Sequence, residues 1–140
     1  MIKHNKLPKN IEALFPKAIV ALESCPDILF AYLFGSFAKG KLMPLSDIDI
    51  AVFLKKDSNF IKNKVNMLSI LIDILNSDEI DLVILNSASL PLSMRIIENK
   101  KVIVDKAPFV RHRYESLIMR KYFDFSINES RILRRRFFNG

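Results

Sequence analysis

A chain of 140 residues, half of them hydrophobic, is long enough for one domain with a real core, and no apolar run in it reaches the length of a membrane span. The basic start, Met1 to Lys6, leads into no apolar signal core, the single Cys25 rules out an internal disulfide, and two histidines, His4 and His112, make a zinc site or a Ser-His-Asp arrangement unexpected; a reducing, cytoplasmic setting is expected instead. The formal net charge of +7 is uneven: from Pro108 to Gly140 eight basic side chains stand against three acidic ones, a surplus of five that suits nucleic acid, an acidic protein surface or a triphosphate.

Lys9 to Glu23 reads as an opening helix. Ile11, Leu14, Phe15, Ile19 and Leu22 fall near helical spacing, and Pro16 is expected to break or restart it. Pro26-Asp27 then turns the chain into a strand from Ile28 to Phe34, which ends at Gly35-Ser36. Gly35 lets the backbone approach a phosphate closely. Ser36 caps a short following helix whose free N–H groups favour an anion, and its hydroxyl can bond a phosphate oxygen directly. Lys39 and Lys41 add positive charge nearby. A loop from Lys41 to Ser46, containing Pro44, brings Asp47 beside Ser36 and leads into a second strand, Ile48 to Leu54. Side chains alternate along a strand, so Asp47 and Asp49 point one way while Ile48 and Ile50 point the other. Two carboxylates held side by side repel each other, and a fold keeps such a pair when a cation sits between the oxygens; hard oxygen ligands suit Mg²⁺ or Mn²⁺.

Ser58 reads as the N-cap of a helix running to about Asn76, with Ile61, Val65, Leu68, Ile72 and Leu75 as its buried stripe and Asp73 in solvent. A third strand, Glu79 to Leu85, carries Asp81, Val83 and Leu85 on one face. Asp81 is an acid on an otherwise apolar strand and supplies the third carboxylate; Glu79 shares its parity but sits at the strand mouth and is the weaker candidate. Ser87 to Asn99 reads as a helix interrupted near its start by Pro91, leading to a short strand, Lys101 to Val104. A long helix follows with Pro108 in its first turn. Its stripe of Val110, Tyr114, Leu117, Ile118, Tyr122 and Phe125 is widened by Phe109, Met119, Phe123 and Ile127. Either this helix is buried between the sheet and the opening helix, or the wide face meets a partner. The run Arg134-Arg135-Arg136-Phe137-Phe138 suits RNA phosphates, an acidic partner or a plain solvated helix end. The expected class is α/β (α+β): a small mixed sheet flanked by helices, with a core over 1–106 and a basic helical extension over 107–140 in the same domain.

Three carboxylates around one or two divalent ions, opposite a Gly-Ser turn, describe a phosphoryl-transfer site. Asp47 and Asp49 would bind the ions; Asp81 would complete one shell and accept the proton of the attacking hydroxyl. Gly35-Ser36, ten residues, then Asp47-x-Asp49 resembles the signature of the polymerase-β-like nucleotidyltransferase superfamily. The small size resembles its minimal branch, the MNT proteins, and within it the MntA-type antitoxins that work with a HEPN-domain ribonuclease toxin. The core resemblance runs from about Ile28 to Leu85; the tail, with Arg111-His112-Arg113-Tyr114 and Arg131 to Phe138, resembles that group less specifically. The resemblance implies transfer of AMP from ATP onto a tyrosine of the toxin within a hetero-oligomer. It implies Gly35, Ser36, Lys39 and Ser46 around the nucleotide, and Asp47, Asp49 and Asp81 as catalytic residues holding two Mg²⁺ ions. Lys39 stands where many relatives have Arg, which turns a bidentate phosphate contact into a point charge. Two other readings stand beside this one: an antitoxin that blocks its toxin by occlusion without catalysis, and a small-molecule nucleotidyltransferase. The second is disfavoured because larger relatives carry a separate domain for the acceptor. Direct nucleic-acid binding by the tail is not the favoured role.

Overall fold

The structure, a computed structural model, describes residues 11–38 and 47–137. In chain order it contains α1 (Ile11–Glu23), β1 (Ile28–Phe34), α2 (Gly35–Ala38), β2 (Ile48–Leu54), α3 (Phe60–Leu75), β3 (Ile80–Ile84), a 3-10 turn at Leu85–Ser87, α4 (Leu90–Glu98), β4 (Lys101–Asp105) and α5 (Pro108–Phe137). The strands lie in the order β3-β2-β1-β4. β1 pairs antiparallel with both β2 and β4, and β2 pairs parallel with β3, so the sheet is mixed. A parallel neighbour requires a crossover, and α3 provides it. β1, apolar on both faces, takes an inner position, as such a run must.

The sheet has two unlike faces. On one, Ala31, Leu33, Ile48, Ile50, Val52, Leu82 and Ile84 pack beneath α1 and α3. On the other, Phe30, Tyr32, Phe34, Ala51 and Leu85 form a second cluster with Ile96 of α4 and, at its border, Val110 and Tyr114 of α5. Asp49 alternates with Ile48 and Ile50, so it belongs to this second face, on the side of Ala51 and Phe53.

Several expectations change in detail. α1 runs unbroken through Pro16. Pro16 and Glu12, whose carbonyl loses its helical partner there, are both exposed, so water can satisfy that group. The cap of α3 is Asn59, one residue later than expected; its Oδ1 accepts from Lys62 N at 3.0 Å, while Ser58 Oγ donates to the Lys55 carbonyl. The helix ends at Asn76 in the left-handed conformation, φ 52°. Its expected buried stripe holds at Leu68 and Leu75, which pack on the core, and fails at Ile61, 79% exposed, Val65, 61% exposed, and Ile72; the fully buried face is Met67, Leu71 and Leu75. β3 ends at Ile84, with Leu85 opening the 3-10 turn. Pro91 does not interrupt α4, because it lies in the first turn after the Ser89 cap, where no N–H is missed. α5 is not buried between the sheet and α1. It lies on the opposite face from α1, against α4 and β1. Beyond Tyr122 its side chains are exposed through Arg135.

One polar network ties α5 to the sheet. Tyr32 Oη donates to Glu115 Oε2 at 2.7 Å, and Arg111 bridges Glu115 and Asp105 through contacts of 3.2 Å and 3.1 Å. Lys100 Nζ reaches Glu115 at 3.4 Å. Burial first, then the bond to Glu115, holds the Tyr32 phenol far above its ordinary pKa range. Sequence reasoning missed this network, though a lone Tyr in an otherwise apolar strand is the signal: its hydroxyl needs a partner when buried.

Candidate active site

The site grows from the end of β1. The chain leaves Phe34 and turns at Gly35 with φ +75°, a conformation that side chains with a Cβ rarely adopt. A Cβ at Gly35 would overlap Asp49 Oδ2. The missing side chain is therefore the space in which the Asp49 carboxylate lies against the turn. The pairing fixes this arrangement: Phe34 is opposite Asp49 in β1–β2, and Asp49 is opposite Asp81 in β2–β3. In-register neighbours of a parallel pair project to the same side, so Asp49 and Asp81 share one face on adjacent strands. Asp47, two residues before Asp49, stands just ahead of β2 and is half-buried, as is Asp49; Asp81 is exposed on the edge strand.

Of the residues expected here, Gly35, Asp49 and Asp81 are brought together by register, with Asp47 next along the chain. Lys39 and Ser46, and the side chain of Ser36, lie outside the described residues. Asp73, expected in solvent, is exposed. Glu79, the weaker candidate, is 5% exposed, and its carbonyl accepts from Ile48 N at 3.0 Å. Its Oε2 has no hydrogen-bond partner among the described residues. Among the described residues no three His, Cys, Asp or Glu side chains are gathered closely enough to hold a metal ion. Asp49, which lies against the turn, and Asp81, its in-register neighbour, are nonetheless both carboxylates, the chemistry that suits Mg²⁺. Strand register supplies two of them side by side without any help from loops.

Residues 17–109 match the family described as Polymerase beta, Nucleotidyltransferase, a span holding the whole sheet and every candidate residue. The chain belongs to that family. The solved structures it resembles include a chain of a toxin–antitoxin with AMP-PNP, at 25% identity and a TM-score of 0.69, covering 87% of this chain and 94% of that one. A mutant of the MntA–HpeT toxin–antitoxin matches at 26% identity and a TM-score of 0.68, over 87% and 94% of the two chains. A tri-AMPylated Shewanella oneidensis HEPN toxin in complex with MNT antitoxin matches in fold, at 24% identity and a TM-score of 0.68, over 88% and 95%. No curated protein matches the chain. The mixed four-stranded sheet with its long C-terminal helix is thus the nucleotidyltransferase fold. No helix among the described residues is long and apolar enough to cross a membrane.

Proposed function

We propose that this nucleotidyltransferase is an antitoxin that moves AMP from ATP onto a tyrosine of a HEPN-domain ribonuclease toxin and so silences it, in the cytoplasm and within a complex of the two chains. The observation that carries the reading is the placement of Asp49 between the Gly35 turn and Asp81. A triphosphate gripped by Gly35 and Ser36, with Lys39 and Ser46 adding contacts, would present its α-phosphorus to the acids. Asp47, Asp49 and Asp81 would hold Mg²⁺, which when bound spreads the negative charge that develops at phosphorus. Asp81, exposed on the edge strand, can take the proton of the incoming phenol. The phenol oxygen forms its bond to the α-phosphorus as the bond to pyrophosphate breaks. Support for the nucleotide comes from the neighbour solved with AMP-PNP, and for the acceptor from the Shewanella oneidensis complex, whose toxin carries AMP.

The test is transfer of label from ATP to a candidate HEPN-domain partner, with Mg²⁺ present. Asp47→Ala and Asp49→Ala are expected to abolish labelling while keeping the melting transition. Asp81→Asn is expected to slow it by about 10²- to 10⁴-fold. Unfolding of both alanine variants would mean that the pair is structural. The exposed apolar and basic outer half of α5 favours a second reading, occlusion of the toxin without transfer. Its mark is full neutralisation by an Asp47/Asp49/Asp81 triple-alanine variant together with loss of neutralisation on trimming the chain after Phe125.

A further inference from the structure

The first turns of α3 carry apolar surface that the core does not use. Ile61 is the most exposed large apolar side chain among the described residues, and Val65, one turn on, is exposed with it. One exposed isoleucine needs no explanation. These two, however, share a side of α3 with Ile72, also exposed, and with Leu68, half-buried against the core. At about 100° per residue, positions 61, 65, 68 and 72 fall within roughly 60° of one another. They form a single stripe beside the face that packs.

The stripe opens onto a groove that contains Asp81. Phe60, Ile61 and Lys64 of α3 line it on one side, Ala88 and Leu92 on another, and β3 contributes Asp81 to Ile84. β3 is the last strand on this side of the sheet, so the groove lies along the sheet's rim. Its volume is about 410 Å³. From Asp81 to Ile84 is three residues, about 10 Å of extended backbone. A short extended stretch of another chain therefore covers the distance from the acid to the wall of α3. Lys64 makes no ion pair among the described residues, and neither does Lys62, two positions earlier. Asp81 is the one acid lining the groove, and in the proposed reaction its charge is taken up by Mg²⁺ and the phenol proton. The groove is thus left with uncompensated positive charge.

We infer that this groove and the Ile61–Val65 stripe seat the acceptor segment of the toxin. That segment is extended, with its tyrosine at Asp81, an apolar side chain against Ile61 and Leu92, and an acidic one for Lys64. The inference rests on the proposed transfer reaction and adds the recognition of its acceptor. Three observations select this occupant. The groove is continuous with Asp81, so a chain that brings a phenol to that acid lies in it. The apolar stripe runs on along α3 beyond the groove, to Val65 and Ile72, which calls for an occupant larger than a small molecule. The unpaired lysines call for acids, whereas a second copy offering the same face would bring further lysines.

The test is transfer of AMP from labelled ATP, with Mg²⁺, to a candidate HEPN-domain partner over a range of partner concentrations. The full unchanged chain is compared with the double variant Ile61→Ser/Val65→Ser, with Lys64→Glu and with Lys64→Arg. ATP affinity is measured separately, without the partner. The substituted side chains are exposed, so every variant is expected to keep the melting transition. The serine pair and Lys64→Glu are expected to raise the KM for the partner about tenfold at unchanged ATP affinity. Lys64→Arg should stay close to the unchanged chain, and added salt should shrink the effect of Lys64→Glu. An unaltered KM in both the serine pair and Lys64→Glu overturns the inference and leaves the transfer reaction standing. So does a parallel loss of ATP affinity, since the variants would then act on the nucleotide site. Self-association of the chain alone, seen by light scattering and abolished in the serine pair, also overturns it and gives the stripe to a second copy. Absence of transfer by the unchanged chain, with ATP bound, removes the reaction itself and the inference with it.

Discussion

Gly35 and Asp49 occupy one volume between them, and that makes the glycine the most constrained residue of the site. Gly35→Ala must either push the Asp49 carboxylate away or abandon φ +75°. The left-handed conformation alone costs a residue with a Cβ roughly 1–2 kcal/mol. The expected result is a lowered melting temperature, and nucleotide transfer lost even where the variant is still fully folded. Tyr32 gives a second prediction. In the unfolded chain its phenol titrates at about pH 10; in the folded protein it titrates higher. Between those values the unfolded state has shed the proton that the native state keeps. The contribution is therefore complete below about pH 10, and stability declines as pH climbs beyond it. Tyr32→Phe is expected to cost about 1.5–3 kcal/mol near neutral pH, as the loss of a hydrogen bond to a charged group, and to flatten the alkaline decline in a series of thermal melts. Part of that decline remains, because burial raises the Tyr114 phenol as well. At this scale the sequence was readable where the determinant is local. The Gly-Ser turn and the Asp-x-Asp pair are short-range patterns, and register did the rest. It was unreadable where the partner is distant: Tyr32 and Glu115 lie 83 residues apart, and no spacing rule links them.

Elements were legible in type and place, and less so in orientation. α3 carries two overlapping apolar stripes, Ile61-Val65-Leu68-Ile72-Leu75 and Met67-Leu71-Leu75, and helical periodicity accepts both. The choice is made by the contact between α3 and α1 across the same face of the sheet, which lies outside the helix's own sequence. The consequence is measurable. Leu71→Ala is expected to cost about 2–5 kcal/mol by opening a cavity in the core. Ile61→Ser and Val65→Ser should each change stability by no more than about 0.5 kcal/mol, as exposed positions do. Chemical denaturation of the three variants checks both halves; a large loss at Ile61 would restore the stripe that periodicity suggested. The two prolines teach the same lesson at the helix ends. Pro91 is harmless because a cap precedes it, and Pro16 is tolerated because its freed carbonyl can face water. Neither fact is visible without knowing which side of the helix is wet.

At the scale of the molecule, α5 is 30 residues long, about 45 Å, and only its first half has a body to lie on. From Phe123 to Arg135 the helix is exposed, with Phe123, Phe125, Ile132 and Leu133 on its surface among Arg131, Arg134 and Arg135. Trimming the chain after Phe125 is therefore expected to leave the melting temperature within a few degrees. It should weaken binding of the toxin and reduce the salt dependence of that binding, read by titration at low and high ionic strength. A large drop in melting temperature would show that the outer half supports the fold itself.

The anchoring of that helix has a mechanical side. Glu115 grips Tyr32, and Tyr32 stands three residues before Gly35 on the same strand of backbone. A load applied to the projecting end of α5 has a stiff lever arm, a polar anchor at Glu115 among its holds on the body, and a short run of β1 between that anchor and the bend against Asp49. Whatever grasps the overhanging helix thus pulls on the strand that shapes the Gly35 turn.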